Sequence, residues 1–188
     1  NEAAIKIARK FHYDRGEIRD ELISFENSFH GRSILNISMG GSENHKKGFE
    51  PLLSGIKHAK YNDISSVENL ISNKTAAIII EPVQGEAGVY EADKSFLRSL
   101  RELCDKNGTL LIMDEVQSGI GRTGHLYGYM KYGIEPDILT SAKGLGGGIP
   151  IGATLTKDNI APSLSTGTHG STFGGNPIAC AVSNKVLE

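Results

Sequence analysis

Two residues of the chain have the types and the spacing that covalent amine chemistry requires. Asp114 follows the apolar run TLLIM at 109–113, and Lys143 follows the shorter run DILT at 137–140. Buried strands rarely end in acids for packing reasons, so an acid at this place is expected to face a charge or a dipole. A lysine held in a low-polarity cleft loses its proton readily and can form a Schiff base. The competing interpretation of Lys143 is a solvated side chain before a glycine-rich loop.

The distance between the two positions favours the chemical interpretation. They are 143 − 114 = 29 residues apart, which is about the length of one strand–helix–strand unit. A lysine that forms a Schiff base and an acid directed at a pyridinium nitrogen are the pair that pyridoxal phosphate chemistry requires. A helix or loop cap would explain Asp114 alone, but it would not explain the lysine that ends nearby.

The elements that must position these residues are strands alternating with helices. Such alternation predicts an α/β layer with a mostly parallel sheet flanked by helices. Ligands of these sheets bind beyond the carboxyl ends of the strands, where the acid, a glutamine and the lysine are expected to line one crevice. The predicted strands are 21–26, 76–80, 109–113 and, more weakly, 137–140 and 152–156.

Helical patterns lie between the strands and at both ends of the chain. The stretch SSVENLIS has a capping-box pattern from Ser65 to Glu68, which predicts a helix that begins there. The stretch KSFLRSLRELCDKNG has one apolar stripe and stops at Gly108, as amphipathic helices do. The chain starts with NEAAIKIARKFH and ends with PIACAVSNKVLE, both inside helical patterns. We therefore expect an internal segment of a longer protein.

Composition narrows the function classes. The 188 residues carry a net charge of −2, so neither nucleic acid nor an anionic membrane is expected as the main partner. The two cysteines, Cys104 and Cys180, form no CxxC pair, which favours a reducing cytoplasm and plain packing. The six histidines show no metal-ligand spacing, so no metal site is predicted.

The glycine-rich segment GIGRTG matches a dinucleotide-binding pattern at Gly119, Gly121 and Gly124. That fingerprint requires the glycines to follow the strand directly and to open a helix. Here Asp114 and Glu115 stand between, and two carboxylates would repel a pyrophosphate. A glycine-rich loop that packs near a site is the favoured interpretation.

Six stretches stand out along the chain: NEAAIK, SFHGR, EPVQGEAGV, LLIMDEVQSGIGRTG, PDILTSAKGLGGGIPIGA and HGSTFGGNPIACAV. Taken together and in this order, they make the chain resemble a class III aminotransferase of fold type I, of the acetylornithine/ornithine type. The resemblance implies that residues 1–188 are part of the large, pyridoxal 5′-phosphate-binding domain. It also implies that the family's N-terminal arm, phosphate loop and small C-terminal domain lie outside this sequence.

The resemblance implies a role for each residue around the cofactor. Lys143 is the lysine that bonds to the cofactor and shuttles a proton, and Asp114 pairs with the protonated ring nitrogen. Gln117 resembles the residue that hydrogen-bonds the 3′ oxygen. Val116 and Phe29 resemble the two faces of a sandwich around the ring, with His30 also expected at the cofactor.

Other roles implied by the resemblance concern the substrate and the phosphate. Arg32 resembles the arginine that takes a substrate carboxylate, and Glu86 resembles the acid that neutralises a second arginine. Glu81 is expected to be structural or to position groups near the ring. Ser171 and Thr172 resemble phosphate ligands donated across a dimer interface.

The implied function is transfer of an amino group from N-acetylornithine, or a similar ω-amino donor, to 2-oxoglutarate in arginine biosynthesis. The expected partners are a small amino acid and a 2-oxo acid, and the expected assembly is a cytoplasmic homodimer with shared active sites. Two alternatives stay open. One is an ornithine or 4-aminobutyrate aminotransferase, and the other is a non-catalytic module that keeps the fold.

Overall fold

A computed structural model describes all 188 residues, and it contains five α-helices and eight strands. The helices are α1 Glu2–Tyr13, α2 Ile34–Met39, α3 Ile64–Glu68, α4 Lys94–Asn107 and α5 Pro177–Leu187. The strands are β1 Glu21–Phe25, β2 Ile56–Ala59, β3 Thr75–Ile80, β4 Val83–Gln84, β5 Tyr90–Glu91, β6 Leu110–Asp114, β7 Ile138–Ser141 and β8 Ala153–Thr156.

Six strands form one mixed sheet in the order β2-β1-β3-β6-β7-β8. All neighbours run parallel except β8, which pairs antiparallel with β7 at one edge. The predicted α/β class and mostly parallel sheet are therefore confirmed. The small strands β4 and β5 form a separate antiparallel hairpin directly after β3.

Both faces of the sheet are covered, and successive strand residues point to opposite faces. Ile78 and Ile80 belong to a cluster with the buried stripe of α4, whereas Ile79 lies in a second cluster with α1. Because the central strands are buried on both faces, they appear in the sequence as continuous apolar runs. That is why 76–80 and 109–113 were recognisable as strands.

The amphipathic helix over 94–107 is confirmed. Its stripe of Phe96, Leu97, Leu100 and Cys104 is buried, and its end at Gly108 has left-handed backbone, with φ +62°. The capping-box prediction for α3 was wrong. The helix begins one residue before Ser65, and the N-cap is Asp63, whose carboxylate accepts a hydrogen bond from the Ser66 amide. Aspartate competes well for that position, and a pattern search anchored on serine missed it.

Sequence patterns located the other predicted strands to within a residue or two, but α2, β2 and the short strands β4 and β5 were not predicted. Strand β7 begins and ends one residue later than the predicted 137–140, and β8 occupies 153–156. Strand β2 was missed because IKHA at 56–59 has neither an apolar run nor clear alternation. No helix in the structure combines the length and the apolar character needed to cross a membrane.

Candidate active site

Three neighbouring parallel strands end at the same edge of the sheet, and each end carries a charged residue. Glu81 follows β3, Asp114 is the last residue of β6, and Lys143 lies two residues beyond β7. The register pairs Ile80 with Met113 and Asp114 with Thr140. The predicted meeting of these strand ends is confirmed, since all three charged residues line one cavity.

That cavity has a volume of about 90 Å³. Its walls come from the ends of β3, β6 and β7 and from the segment that follows β1. Most of the residues predicted for the cofactor are among them. The lining residues are Asn1, Phe29, His30, Gly31, Glu81, Glu86, Asp114, Val116, Gln117 and Lys143.

A larger open cleft of about 700 Å³ adjoins the cavity, and Gln117 and Lys143 line both. The cleft has a volume typical of ligand sites, about 300–1,000 Å³. It lacks the buried acids, however, and its walls are the loop 117–123 and the β4–β5 hairpin. Lys143 and Gln117 lie at the boundary between the two spaces.

Asp114 is buried, with 3% of its surface exposed, and it is surrounded by donors. Its Oδ2 accepts hydrogen bonds from His30 Nδ1 and from Asn1 Nδ2, each at 2.8 Å, and its Oδ1 accepts one from the Val116 amide at 3.1 Å. Burial alone would raise the pKa of Asp114, but the hydrogen bonds from His30, Val116 and Asn1 outweigh it and hold that pKa below the ordinary value. The carboxylate is thus kept ionised in a dry place.

Glu81 lines the same cavity, but its pKa is shifted in the opposite direction from that of Asp114. Its Oε2 accepts one hydrogen bond from the Phe29 amide at 3.0 Å, and the structure gives it no ion pair. Burial raises the pKa of Glu81 to about 7, with His30 and the Phe29 amide opposing that rise. Two carboxyls whose surroundings push their pKa values apart are typical of sites that handle protons.

Glu115, the second acid of the Asp-Glu pair, has a different task. It is fully buried and accepts hydrogen bonds from the amides of Gly128 and Tyr129, at 2.9 and 2.7 Å, and from the Ser118 hydroxyl. Burial raises its pKa against these donors. Glu115 therefore stabilises the loop 116–129 by joining its two ends through hydrogen bonds. Only Asp114 of the pair lines the cavity.

Lys143 has strained backbone, with φ +46°. A side chain in the left-handed region costs about 1–2 kcal/mol, and such residues concentrate at functional sites. Lys143 is exposed although it lines the cavity, so this chain does not by itself surround the lysine with the low-polarity walls of the first interpretation.

Close packing fixes the segment that carries Lys143. Gly147, the C-terminal cap of the short 3-10 turn Lys143–Gly146, has φ +54°. A Cβ at this position would lie 3.2 Å from Val182 and from Val186 of α5. Both the backbone conformation and the close packing therefore favour glycine here, and α5 packs directly on the turn that carries Lys143.

Gln117 fits in its position only because the residue opposite it, Gly85, has no side chain. A Cβ built on Gly85 would lie 1.3 Å from Gln117 Oε1, so any other residue there would expel the glutamine from its position. Phe29 is half-buried at the cavity wall. The guanidinium of Arg32 stacks over the Phe29 ring, with its Cζ 5.3 Å from the centroid, inside the range of a cation–π contact.

Three predicted residues lie outside the cavity walls. Arg32 is exposed next to the cavity through its contact with Phe29. Ser171 and Thr172 are exposed on the segment before α5, and they line neither the cavity nor the adjoining cleft. Within one copy of the chain they are therefore not brought to Lys143.

The site also includes residues that the sequence patterns did not indicate. Asn1 and Thr140 are tied to Asp114 by hydrogen bonds, and Tyr61 supports the β3 end by donating to the Glu81 carbonyl at 2.9 Å. Asn1 and Thr140 lie inside quoted stretches, NEAAIK and PDILTSAKGLGGGIPIGA, but neither was singled out there. Thr140 alone had a signal, since it is the last residue of a predicted strand beside Asp114.

The chain matches a known protein family and several curated relatives over its whole length. The family model described as "Aminotransferase class-III" matches residues 1–188. The succinylornithine transaminases of Salmonella newport (strain SL254) and Yersinia pestis are 56% and 53% identical over the whole chain. The chain covers 46% and 47% of those two proteins, so it spans about half the length of the curated relatives that it matches.

Solved structures agree with the sequence relatives. The ornithine aminotransferase from Toxoplasma gondii ME49 superposes with a TM-score of 0.94 at 39% identity, over 99% of this chain and 45% of that one. An amine transaminase from an uncultivated Pseudomonas species, in its PLP-bound form, superposes with a TM-score of 0.93 at 35% identity, over 99% of this chain and 49% of that one.

Proposed function

This chain belongs to the class III aminotransferase family, and from that premise we propose that the protein transfers the terminal amino group of an ornithine derivative to 2-oxoglutarate. The observation that carries the proposal is the cavity in which Asp114, His30 and Lys143 meet beyond β6 and β7. The family's cofactor is pyridoxal 5′-phosphate. When bound, it withdraws electrons from the bonds at the amine-bearing carbon of the substrate.

The residues of this chain fit that cofactor. His30 lines the cavity, and its Nε2 is buried without a hydrogen-bond partner, while Nδ1 is bonded to Asp114. A buried polar atom without a partner at a cavity wall is where a bound group is expected. The open cleft beside the cavity adds the volume that a ring with substituents requires.

Lys143 and Asp114 supply the two chemical functions. With the cofactor bound, the Lys143 amine would hold it covalently and would also move a proton at the substrate carbon. Asp114 would keep the pyridine nitrogen protonated, a task that suits a buried and ionised carboxylate. His30 donates to Asp114 at 2.8 Å and so favours the ionised form.

The remaining side chains bind and orient. Phe29, Val116 and Gln117 line the cavity; the first two would pack against the cofactor ring, and Gln117 would donate a hydrogen bond to it. Arg32 takes a carboxylate of the substrate, because its planar guanidinium suits bidentate binding. Glu86 pairs with an arginine from outside residues 1–188.

We also propose a homodimer in the cytoplasm. Ser171 and Thr172 are exposed and away from the cavity of their own chain, which suits donation of their hydroxyls to the phosphate of a partner's cofactor. Neither cysteine forms a disulfide, which suits a reducing compartment.

The amino donor has two candidates of one chemical class. N-acetylornithine was the expectation from sequence motifs. N-succinylornithine is favoured by the names of the relatives that are 53–56% identical to the chain. Both carry an acylated α-amine and a free terminal amine, so they differ only in the acyl group.

The test uses the full-length protein loaded with pyridoxal 5′-phosphate. N-acetylornithine, N-succinylornithine, ornithine and 4-aminobutyrate are each supplied with 2-oxoglutarate, and glutamate formation is measured. We expect one of the two acylated donors to give the highest kcat/KM. A higher value with ornithine or 4-aminobutyrate would assign the protein to the corresponding alternative, and no glutamate from any donor would overturn the proposed function.

Asp114→Asn supplies the residue-level test, with the exposed Asp158→Asn as its control. The neutral amide cannot hold the ring proton, so turnover is expected to fall by at least about 10²-fold, a change of about 2.7 kcal/mol in the barrier. The control should retain wild-type turnover. A fall of less than tenfold in Asp114→Asn, with cofactor still bound, would show that Asp114 has another role.

A further inference from the structure

Asn1 makes three hydrogen bonds that converge on the acid of the site. Its Nδ2 donates to Asp114 Oδ2 and to the His30 carbonyl, each at 2.8 Å. Its Oδ1 accepts from the Thr140 hydroxyl at 2.7 Å. Although Asn1 stands at the N-cap position of α1, its side chain caps no amide of that helix. All of its hydrogen-bonding capacity is directed to the surroundings of Asp114.

The orientation of the amide is determined by its neighbours. Both Nδ2 contacts are acceptors, one a carboxylate oxygen and one a backbone carbonyl. Reversing the amide would place Oδ1 against two other oxygens and leave Nδ2 facing the Thr140 hydroxyl alone. Because amide nitrogen has two protons and both are used, only one orientation satisfies every group.

Asn1 also determines how the two oxygens of Asp114 are used. Oδ2 is occupied by two short hydrogen bonds, from His30 and Asn1. Oδ1 accepts the Val116 amide at 3.1 Å, and the Thr140 hydroxyl lies 3.4 Å away. A hydroxyl has one proton, and Thr140 is closer to Asn1 Oδ1 than to Asp114 Oδ1. Because the Thr140 hydroxyl donates its hydrogen bond to Asn1 Oδ1, Asp114 Oδ1 keeps a single strong donor and can accept another.

We propose that Asn1 is a positioning residue for the reaction, which saturates Asp114 Oδ2, draws the Thr140 hydroxyl away from Oδ1, and so presents Oδ1 to the protonated ring nitrogen of the cofactor. The inference rests on the proposed function, because it assigns a task to a neighbour of the acid that the reaction uses. Asn1 acts through Asp114 and bonds to no reacting atom.

The surroundings of Asp114 support this assignment. The carboxylate is buried, and an ionised acid in such a place needs donors on each oxygen. Asn1 is one of the groups that lower the pKa of Asp114 against burial, together with His30 and Val116. Without Asn1, His30 would still donate a hydrogen bond to Asp114 Oδ2. No other group near the carboxylate accepts the hydrogen bond of the Thr140 hydroxyl.

The experiment measures the carboxylate of Asp114 directly in the cofactor-free full-length protein. An infrared difference spectrum between wild type and Asp114→Asn at neutral pH isolates the carboxylate bands of this residue. In Asn1→Ala we expect these bands to shift, because one donor to Oδ2 is lost and the Thr140 hydroxyl turns to Oδ1. Thr140→Val should shift them less, since the Nδ2 bond stays. The exposed Asn159→Ala should leave them unchanged.

The holoenzyme provides the second readout. Loss of the Asn1 donor destabilises the ionised acid, so the acid limb of the kcat/KM profile in Asn1→Ala should move to higher pH. In Asn1→Asp an acceptor replaces the donor beside Asp114, and kcat/KM should fall at least about tenfold further.

The outcomes separate this inference from the proposed function. If wild type forms glutamate while Asn1→Ala, folded and loaded with cofactor, keeps both the wild-type bands and the wild-type acid limb, the positioning role is overturned and the function stands. If Asn1→Ala does not fold, Asn1→Leu decides, because leucine has nearly the same shape and no hydrogen-bonding group: unchanged Asp114 bands in that variant also overturn the role. If wild type forms no glutamate, the proposed function fails, and the infrared result still reports whether Asn1 bonds to Asp114.

Discussion

Replacing Glu81 by glutamine should change how stability depends on pH. Glu81 is 7% exposed, lies in the cavity beside Asp114 and Lys143, and has no ion-pair partner. Burial raises its pKa from 4.5 to about 7. Glutamine has nearly the same shape, keeps an oxygen that can accept from the Phe29 amide, and cannot ionise. The variant therefore removes the titration and preserves the packing.

The sign follows from which state binds the proton more tightly. The folded protein holds the Glu81 proton up to about pH 7, whereas the unfolded chain releases it near 4.5. The stability that this group contributes is fully present below the unfolded pKa and is lost as the pH rises through the folded pKa. The shift is 7 − 4.5 = 2.5 units, which at about 1.36 kcal/mol per unit corresponds to roughly 3 kcal/mol.

Denaturant unfolding of the cofactor-free protein at about pH 5 and about pH 8 measures this difference. At the lower pH the wild type and Glu81→Gln should be similarly stable. At the higher pH Glu81→Gln should be more stable by roughly 3 kcal/mol, because the wild type must bury an ionised carboxyl. The exposed Glu68→Gln serves as the matched control and should follow the wild type at both pH values.

The reasoning would be refuted if Glu81→Gln and wild type differed by the same amount at both pH values. That result would mean that Glu81 is ionised in the folded protein at neutral pH. A nearby cation, such as Lys143, would then compensate the carboxylate more strongly than its burial penalises it.

Three further predictions concern single residues. Lys143→Ala should abolish both the visible absorbance of covalently bound cofactor and turnover, because no other lysine lines the cavity; borohydride reduction and peptide mapping that label a different lysine would contradict it. Arg32→Lys should raise KM for the amino donor or for 2-oxoglutarate more than it weakens cofactor binding, since the charge stays and the paired geometry is lost; unchanged KM for both would count against a carboxylate role. Asp137→Ala should lower the free energy of unfolding by about 3 kcal/mol, because it removes the carboxylate that accepts hydrogen bonds from the Leu111 amide and Arg101. Lys157→Ala, at the exposed end of the same cluster, should lower it by less than about 1 kcal/mol. Equal losses of the two variants in thermal or urea unfolding would contradict this assignment.

Much of the fold was predictable because its signals are local. The buried central strands β3 and β6 are continuous apolar runs, and α4 has a single apolar stripe that ends at a glycine. Strand β2 escaped because its residues are half-buried and mixed in character, so nothing in IKHA separates a strand from a loop. The N-cap of α3 was misplaced because serine and aspartate are both good caps and lie two residues apart.

The sequence by itself determined which residues are available to the site, since Asp114 and Lys143 had to follow strands that parallel pairing brings to one edge. Only the tertiary structure decided the protonation states of the acids at this edge, Asp114 and Glu81. Asp114 accepts hydrogen bonds from His30, Asn1 and the Val116 amide and stays ionised, whereas Glu81, at the end of the neighbouring strand, accepts from one amide and holds its proton toward neutral pH. The partners come from up to 113 positions away. Hydrogen bonds and desolvation act through space, so no local pattern could distinguish the two acids.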